Sequence, residues 1–252
     1  TLAAVPATLI KLLKFHKNHI QNELKDLRLL ITNSTFIPPE IVSQYKKILK
    51  NGNLATYYGL TEASRSTFMI FENHLNNNTS VGKPAPNVEI KIENKYNDIG
   101  EIWIKGSNVI KEYWNSSVDN QNFIDDWIKT GDLGYFDKDG FLYLSGRLDD
   151  VVNIGGEKVF PEYVEKIIKQ NNDIEDVVII GQKHNVLGHT LKAFVKLNPQ
   201  STLKKSDILS FCLKNLEKHM VPLKIELVDE FPVTEYGKIK RFLLYSEDLK
   251  ND

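Results

Sequence analysis

The chain has 252 residues, 41% of them hydrophobic and 26% charged, enough to bury a sizeable core in one large domain or two modest ones. Its 32 Lys and Arg against 33 Asp and Glu leave a formal charge of −1, which excludes an overall field drawing it to nucleic acid or to an anionic membrane. A single cysteine, Cys212, excludes an internal disulfide framework and fits a reducing, cytoplasmic setting.

The chain opens at Thr1 inside an amphipathic pattern, with neither methionine nor a signal-peptide layout, so it is expected to be part of something longer. No apolar run reaches the length of a transmembrane helix. Apolar spacing predicts helices over residues 6–18 and 39–50, the second opened by "PPE" and stopped by "NGN", with "LRLLIT" between them as a buried strand. This is an α/β rhythm. The stretch "TYYGLTEA", residues 56–63, then offers an aromatic (Tyr58), a glycine (Gly59), a hydroxyl (Thr61) and a carboxylate (Glu62) in five positions. Such a set can stack a base, let backbone approach a phosphate, donate a hydrogen bond and hold Mg²⁺ through oxygen; it is equally a tight turn. "NHLNNNTS" reads as an exposed loop, and the Asn-x-Ser/Thr triplets at Asn33, Asn78 and Asn115 as chance.

From Val88 to Leu144 short alternating strands, "VEIKI", "GEIWIKG" and "FLYLSG", predict a mostly β segment. Within it "KTGDLGYF" holds Asp132 between glycines, a carboxylate expected on a turn, either to accept hydrogen bonds from a sugar or to cap backbone amides. "GRLDDVVNIGG", residues 146–156, leaves Arg147, Asp149 and Asp150 open as an ion pair, a metal site or a moving joint, and Gly155 and Gly156 as a tight bend or a place of close approach.

After Asp150 the order is helix "PEYVEKIIKQ", strands "DVVIIG" and "LKAFVKL", helix "SDILSFCLKNLEKHM", strand "KIELVDE" and loop "FPVTEYGKIKR", a small α+β unit. Ser206 is the expected N-cap of the second helix, with Ile208, Leu209, Cys212, Leu213 and Leu216 on its inner face and Cys212 a core residue rather than a nucleophile. Lys238, directly after Gly237 in the terminal loop, is either solvated or suited to neutralise a phosphate or carboxylate that gains charge. His184 and His189 are five apart, off the helical ligand spacing, and are assigned no metal. The G-x-x-x-x-G-K-[ST], G-x-G-x-x-G and G-x-S-x-G motifs are absent.

Taken in order, "YGLTE", "TGDLG", "GRLDDVVNIGGEKVFPEYVE" and "PVTEYGKIKR" resemble the acyl-adenylate-forming ligase superfamily, which includes acyl-CoA synthetases, carrier-protein adenylation domains and beetle luciferases. The resemblance runs from "AAVPATLIKLL" to the end of the chain. It implies the incomplete α/β and β-rich end of a large N-terminal domain over residues 1–148, with 82–148 mostly β, followed by a small mobile α+β domain over 149–252. It further implies that Tyr58 stacks on adenine beside Gly59, that Thr61 contacts the α-phosphate, and that Glu62 helps hold Mg²⁺. Asp132 would bind the ribose with Arg147 assisting, Asp149 would be the hinge, and Lys238 would sit on the carboxylate and α-phosphate while acyl-AMP forms. Gly155 and Gly156 match a strand that lines the pantetheine tunnel in thioester-forming relatives.

The implied reaction is ATP- and Mg²⁺-dependent activation of a small carboxylic acid, followed by transfer to CoA, with a fatty or other hydrophobic acid expected. The alternative acceptor is the phosphopantetheine of an acyl carrier protein, and a non-catalytic interaction module is the third reading. Family members carry a Gly/Ser/Thr-rich phosphate loop upstream of these motifs; here the missing N-terminal half is expected to hold it, leaving this chain inactive alone. Two further departures are Asn33, Ser34, Thr35 and Phe36, where relatives usually show a Gly-Gly pair, and Thr56, where many have Asn.

Overall fold

The computed structural model describes residues 1–33, 37–71, 79–113, 122–234 and 238–248. The expected wall residues Ser34, Thr35 and Phe36, residues 73–78 of the Asn-rich loop, and Gly237 lie outside the described residues. The chain forms two compact units, Thr1–Leu144 and Ser145–Asp252.

The first unit opens with β1 (Leu2–Ala3), α1 (Pro6–Glu23), β2 (Leu29–Thr32), α2 (Pro39–Ile48) and β3 (Asn53–Thr56). Each helix starts on a proline, whose fixed φ suits the first turn and whose missing N–H has no intrahelical partner to lose. No breaker follows residue 18, so α1 continues to Glu23, five residues past the expected end; α2 stops at Ile48, two short of it. Leu9, Leu13 and Ile20 of α1 and Val42, Tyr45 and Ile48 of α2 turn inward, and the Tyr45 hydroxyl donates to the Leu9 carbonyl at 3.0 Å. Burial pushes that hydroxyl's pKa up to about 12. The helices serve as crossovers: β1, β2 and β3 are parallel, and β4 (Thr67–Ile70) and β5 (Lys83–Pro84) add antiparallel strands beside β3. β2 is half-buried rather than buried, with Leu30 and Thr32 inside.

A second sheet has the order β10-β9-β7-β6, formed by β6 (Val88–Tyr96), β7 (Ile99–Gly106), β9 (Trp127–Phe136) and β10 (Leu142–Arg147), with β8 (Phe123–Ile124) paired to β9. Two of its turns, β6–β7 and β8–β9, are two-residue connections with both residues at positive φ, Asn97-Asp98 and Asp125-Asp126, the residue types that tolerate this backbone best after glycine. Ile102, Ile104, Ile128 and Leu142 form its buried centre.

In the second unit a 3₁₀ turn, Leu148–Asp150, leads into the hairpin β11 (Val152–Ile154) and β12 (Glu157–Val159), then α3 (Pro161–Ile168), β13 (Ile174–His184), β14 (Gly188–Leu197), α4 (Lys205–Asn215), β15 (Lys224–Leu227) and α5 (Arg241–Asp248). The sheet β13-β14-β15 is covered on both sides, which is why "DVVIIG" is apolar without alternation. Val177, Ile179, Leu191, Ala193 and Val195 pack with α3, α4 and β11; Val178, Ile180 and Phe194 pack with Leu244 of α5 and with Ile239.

Three expectations need correction here. Ser206 is not the N-cap: Lys204 holds that place, and the Asp207 carboxylate accepts the Lys204 N–H at 2.9 Å, so the first turn starts two residues earlier. Of the expected inner face, Ile208 and Cys212 are buried and Leu216 is partly buried, but Leu209 is 38% and Leu213 61% exposed: the buried stripe follows the i, i+4 row of 208 and 212, and the neighbouring row of 209 and 213 turns outward, while α4 ends at Asn215 and a separate 3₁₀ turn, Lys218–Met220, takes over. Helix α5 is not foreseen at all. Among the described residues no helix is long and apolar enough to cross a membrane.

Candidate functional site

In the first unit the segment between β3 and β4 folds back on itself. Leu60 and Ala63 exchange backbone hydrogen bonds at 3.2 Å, and Tyr58 is tied to Thr67 through its carbonyl and its N–H, each at 3.1 Å. Gly59 is required by this closure: a Cβ there would stand 2.5 Å from the Ala63 carbonyl oxygen and 2.6 Å from the Arg65 nitrogen. The segment is held from outside by the stretch after β7. Ile110 N–H bonds the Glu62 carbonyl at 2.8 Å, and Asn108 Nδ2 donates to Ser64 O at 3.0 Å and Ser66 Oγ at 2.9 Å.

Thr61 is exposed, whereas Glu62 is half-buried and its Oε1 accepts the Tyr113 hydroxyl at 2.6 Å. That hydrogen bond, reinforced by burial and by the carboxylate's charge, raises Tyr113 above the ordinary phenol range. Tyr58 is buried with its ring in the cluster of Ala63, Ile102 and Ile104, and its hydroxyl donates to Asp132 Oδ2 at 2.7 Å. Thr56 closes β3 as a buried residue, paired in register with Thr32, whose buried hydroxyl has no hydrogen-bond partner among the described residues.

Asp132 sits in the middle of β9, not on a turn as expected. The local signal that reads as a turn is an irregularity within the strand: Gly131 has φ +68°, and the β7–β9 register shifts between Glu101 and Trp103, without ending β9. Asp132 N–H bonds Thr130 Oγ1 at 3.0 Å, Thr130 Oγ1 donates to Ile102 O at 2.8 Å, and Gly131 N–H bonds Glu101 Oε1 at 3.2 Å. The other Glu101 oxygen accepts Trp103 Nε1 at 2.9 Å. Tyr113, Glu101, Thr130 and Asn108 carry no sequence signal of these roles, since Glu62, Ser64, Gly131 and Ile102 are brought to them by packing of distant segments and strand register.

In the second unit Arg147 and Asp149 are exposed, and Asp150 is half-buried on the side of Arg241 and Tyr245, whose ionisation its charge affects. Among the described residues no three His, Cys, Asp or Glu side chains converge as a metal cage. Gly155 (φ +60°) and Gly156 (φ +98°) are the central pair of the β11–β12 hairpin, and a Cβ at Gly156 would meet nothing within 4 Å. Lys238 is exposed at the side chain and pinned at the backbone: its N–H bonds Thr234 Oγ1 at 3.1 Å, and its carbonyl accepts Thr234 N–H at 2.8 Å. His184 caps the β13–β14 turn, its Nδ1 accepting the Val186 and Leu187 N–H groups at 3.2 Å, while His189 pairs with Lys183.

Residues 1–114 match the family model of the AMP-binding enzyme, and residues 163–238 match that of the AMP-binding enzyme C-terminal domain. The chain belongs to the AMP-binding enzyme family. Tyr58, Gly59, Thr61 and Glu62 fall in the first match of this AMP-binding family member and Lys238 closes the second; Asp132, Arg147, Asp149, Gly155 and Gly156 lie between them.

Among relatives, the chain is 31% identical over 245 residues to a long-chain-fatty-acid–CoA ligase of Bacillus subtilis, covering 94% of this chain and 44% of that protein. It is 33% identical over 247 residues to an oxalate–CoA ligase of Arabidopsis thaliana, covering 94% and 48%. Among solved structures it resembles o-succinylbenzoate CoA synthetase of Bacillus subtilis in complex with the acyl-adenylate intermediate OSB-AMP, with a TM-score of 0.79, 28% identity and coverage of 97% and 50%. The chain thus spans about half the length of the relatives it matches.

Proposed function

We propose that the protein to which these residues belong is an AMP-forming carboxylate:CoA ligase, converting a carboxylic acid and ATP to an acyl-adenylate and then passing the acyl group to the CoA thiol. The observation that carries this reading is the 2.7 Å contact between the Tyr58 hydroxyl and Asp132, two motif residues 74 positions apart that the fold brings to one place. It is supported by relatives named as CoA ligases and by a similar structure holding ATP and magnesium.

In this reading Tyr58 and Gly59 shape the adenine side, Asp132 accepts from the ribose hydroxyls with Arg147 assisting, and Thr61 meets the α-phosphate. Glu62 suits Mg²⁺: it is a hard oxygen ligand already oriented by Tyr113, and a lone carboxylate is enough where phosphates and water fill the remaining positions. The ion supplies electrostatic stabilisation of the phosphate oxygens. Lys238 places an ammonium where negative charge gathers as pyrophosphate leaves, and removal of one such contact costs about a hundred- to thousand-fold in rate. The boundary near 148 and the pivot at Asp149 let a second face, led by Gly155 and Gly156, replace Lys238 for the thiol step. The acid is proposed to be fatty or otherwise hydrophobic, and the setting the reducing cytoplasm that a single protonated thiol fits.

The test uses the complete protein with ATP, Mg²⁺, a panel of acids and either CoA or holo carrier protein. Acid-dependent pyrophosphate exchange and a CoA thioester are expected, with Lys238→Ala abolishing most of the exchange. Thioester formation only on the carrier would reassign the acceptor, and no acid-dependent exchange with any acid would overturn the ligase reading. The 252 residues alone, without an upstream phosphate loop, are expected to show no exchange.

A further inference from the structure

The proposed chemistry makes no use of two charged groups of the second unit, the buried Glu165 on α3 and the half-buried Arg241 at the start of α5, and these two meet. Arg241 Nη1 lies 2.8 Å from Glu165 Oε1, and Nη2 donates to Oε2 at 2.8 Å. The same pair takes hold of strand β13: Glu165 Oε1 accepts the Ile179 N–H at 2.8 Å, and Arg241 Nη1 donates to the Ile179 carbonyl at 3.0 Å. β13 is an edge strand, so these are the backbone groups that a further strand would otherwise use.

Arg241 comes three residues after Lys238, and the residues between them are fixed in sequence. Lys240 N–H bonds Pro232 O at 2.8 Å, and Ile239 pairs with Val233 and packs on the cluster of Val178, Ile180 and Phe194. Lys238 itself is bonded in both directions to Thr234. Burial disfavours the guanidinium charge, yet the hydrogen bond and charge of Glu165, with Asp150 and Glu162 behind them, raise Arg241 above its ordinary value, so the cation persists.

A largely buried ion pair contributes little stability that an apolar pair of similar volume would not, but its directional bonds select one geometry. We propose that Arg241 is a positioning residue for Lys238, the Arg241–Glu165–Ile179 clamp fixing where the lysine loop leaves the body of the second unit. This rests on the role assigned to Lys238 above. It assigns Arg241 no contact with substrate.

The test compares four forms of the complete ligase: the parent, Lys238→Ala, Arg241→Lys, and the double variant Glu165→Leu with Arg241→Met. The double variant replaces the pair by apolar side chains and leaves neither partner's charge unpaired, but it takes from Ile179 the partners of its N–H and its carbonyl, so its thermal unfolding is expected below the parent's temperature while remaining cooperative. Its kcat for adenylation is expected to fall about tenfold to a hundredfold, as for a misplacement near 1 Å, with the KM for ATP within about twofold of the parent's. Acyl transfer from supplied acyl-adenylate to CoA is expected to be unchanged, and the Lys240 amide to exchange its hydrogen faster. Arg241→Lys keeps the charge but cannot span both carboxylate oxygens and the carbonyl, and is expected to show the same pattern more weakly.

Equal loss in both half-reactions would make the clamp merely structural and overturn the proposal, as would full adenylation activity in both clamp variants. If the double variant does not fold, Arg241→Lys decides by the same two outcomes. Unimpaired exchange in Lys238→Ala sinks the role of the lysine itself; an inactive Lys238→Ala beside fully active clamp variants sinks only the clamp.

Discussion

Asp132 shows how much of one residue's chemistry is set by others. Its backbone is fixed through Thr130 and, one residue earlier, through the buried Glu101, so the carboxylate has few ways to turn. Its Oδ2 accepts the Tyr58 hydroxyl at 2.7 Å, and a hydrogen bond to a carboxylate is stronger than one between neutral groups. Tyr58→Phe keeps the ring in its apolar cluster and removes only that donor. In the complete ligase it is expected to raise the KM for ATP about tenfold, the worth of one hydrogen bond to a charged group, and to leave kcat within about twofold. Steady-state kinetics with ATP varied checks this. An unchanged KM would mean that the hydroxyl does not orient Asp132 for the nucleotide.

At the scale of elements, the β11–β12 hairpin separates backbone need from function. Gly155 and Gly156 both lie at positive φ, so the turn alone accounts for glycine at both places. Gly155→Asn is expected to be tolerated, since Asn adopts +60° readily; Gly156→Ala is expected to cost ~1–2 kcal/mol, all of it torsional because the added Cβ meets nothing. Urea unfolding measures the cost, and the two half-reactions of the complete ligase reveal whether more is at stake. If Gly156→Ala slows thioester formation while sparing pyrophosphate exchange, the bare backbone serves the thiol arm; if both are spared, the turn is all it serves.

Elements were legible in proportion to how far their own sequence decided them. Strand β13 and helix α3 could be read because a doubly covered strand is apolar throughout and a proline marks the helix start. Helix α5 could not: "RFLLYSED" is eight residues long, with Phe242 66% exposed and Leu244 buried, too short for a period to emerge. The site divides in the same way. Its motifs were readable as motifs, whereas the partners that hold them are separated by 28 residues for Thr130 and Ile102 and by 76 for Arg241 and Glu165, distances that only register and packing close.

At the scale of the molecule, the apolar clusters of the second unit draw every residue from within Ser145–Asp252, and the sheet they enclose has its outer strand capped at Ile179 by Glu165 and Arg241. A core complete within a stretch of this length is enough for independent folding. Residues 145–252 expressed alone are therefore expected to unfold cooperatively in urea, and Cys212 provides an internal probe. Its side chain is fully buried, and burial pushes the thiol from 9.0 up to about 11, so at pH 8 it is protonated and shielded while the unit is folded. Labelling by a thiol reagent at pH 8 should then wait on unfolding and become fast only in denaturant. The sign of the pH dependence follows: the unfolded thiol ionises through about 9 and the folded one only near 11, so this contribution to stability is full below 9 and is lost between 9 and about 11. Cys212→Ala should remove that alkaline slope, though with some loss of stability at every pH from the cavity it leaves. Labelling of the isolated unit at the denatured rate at pH 8 would show that its fold depends on the rest of the chain.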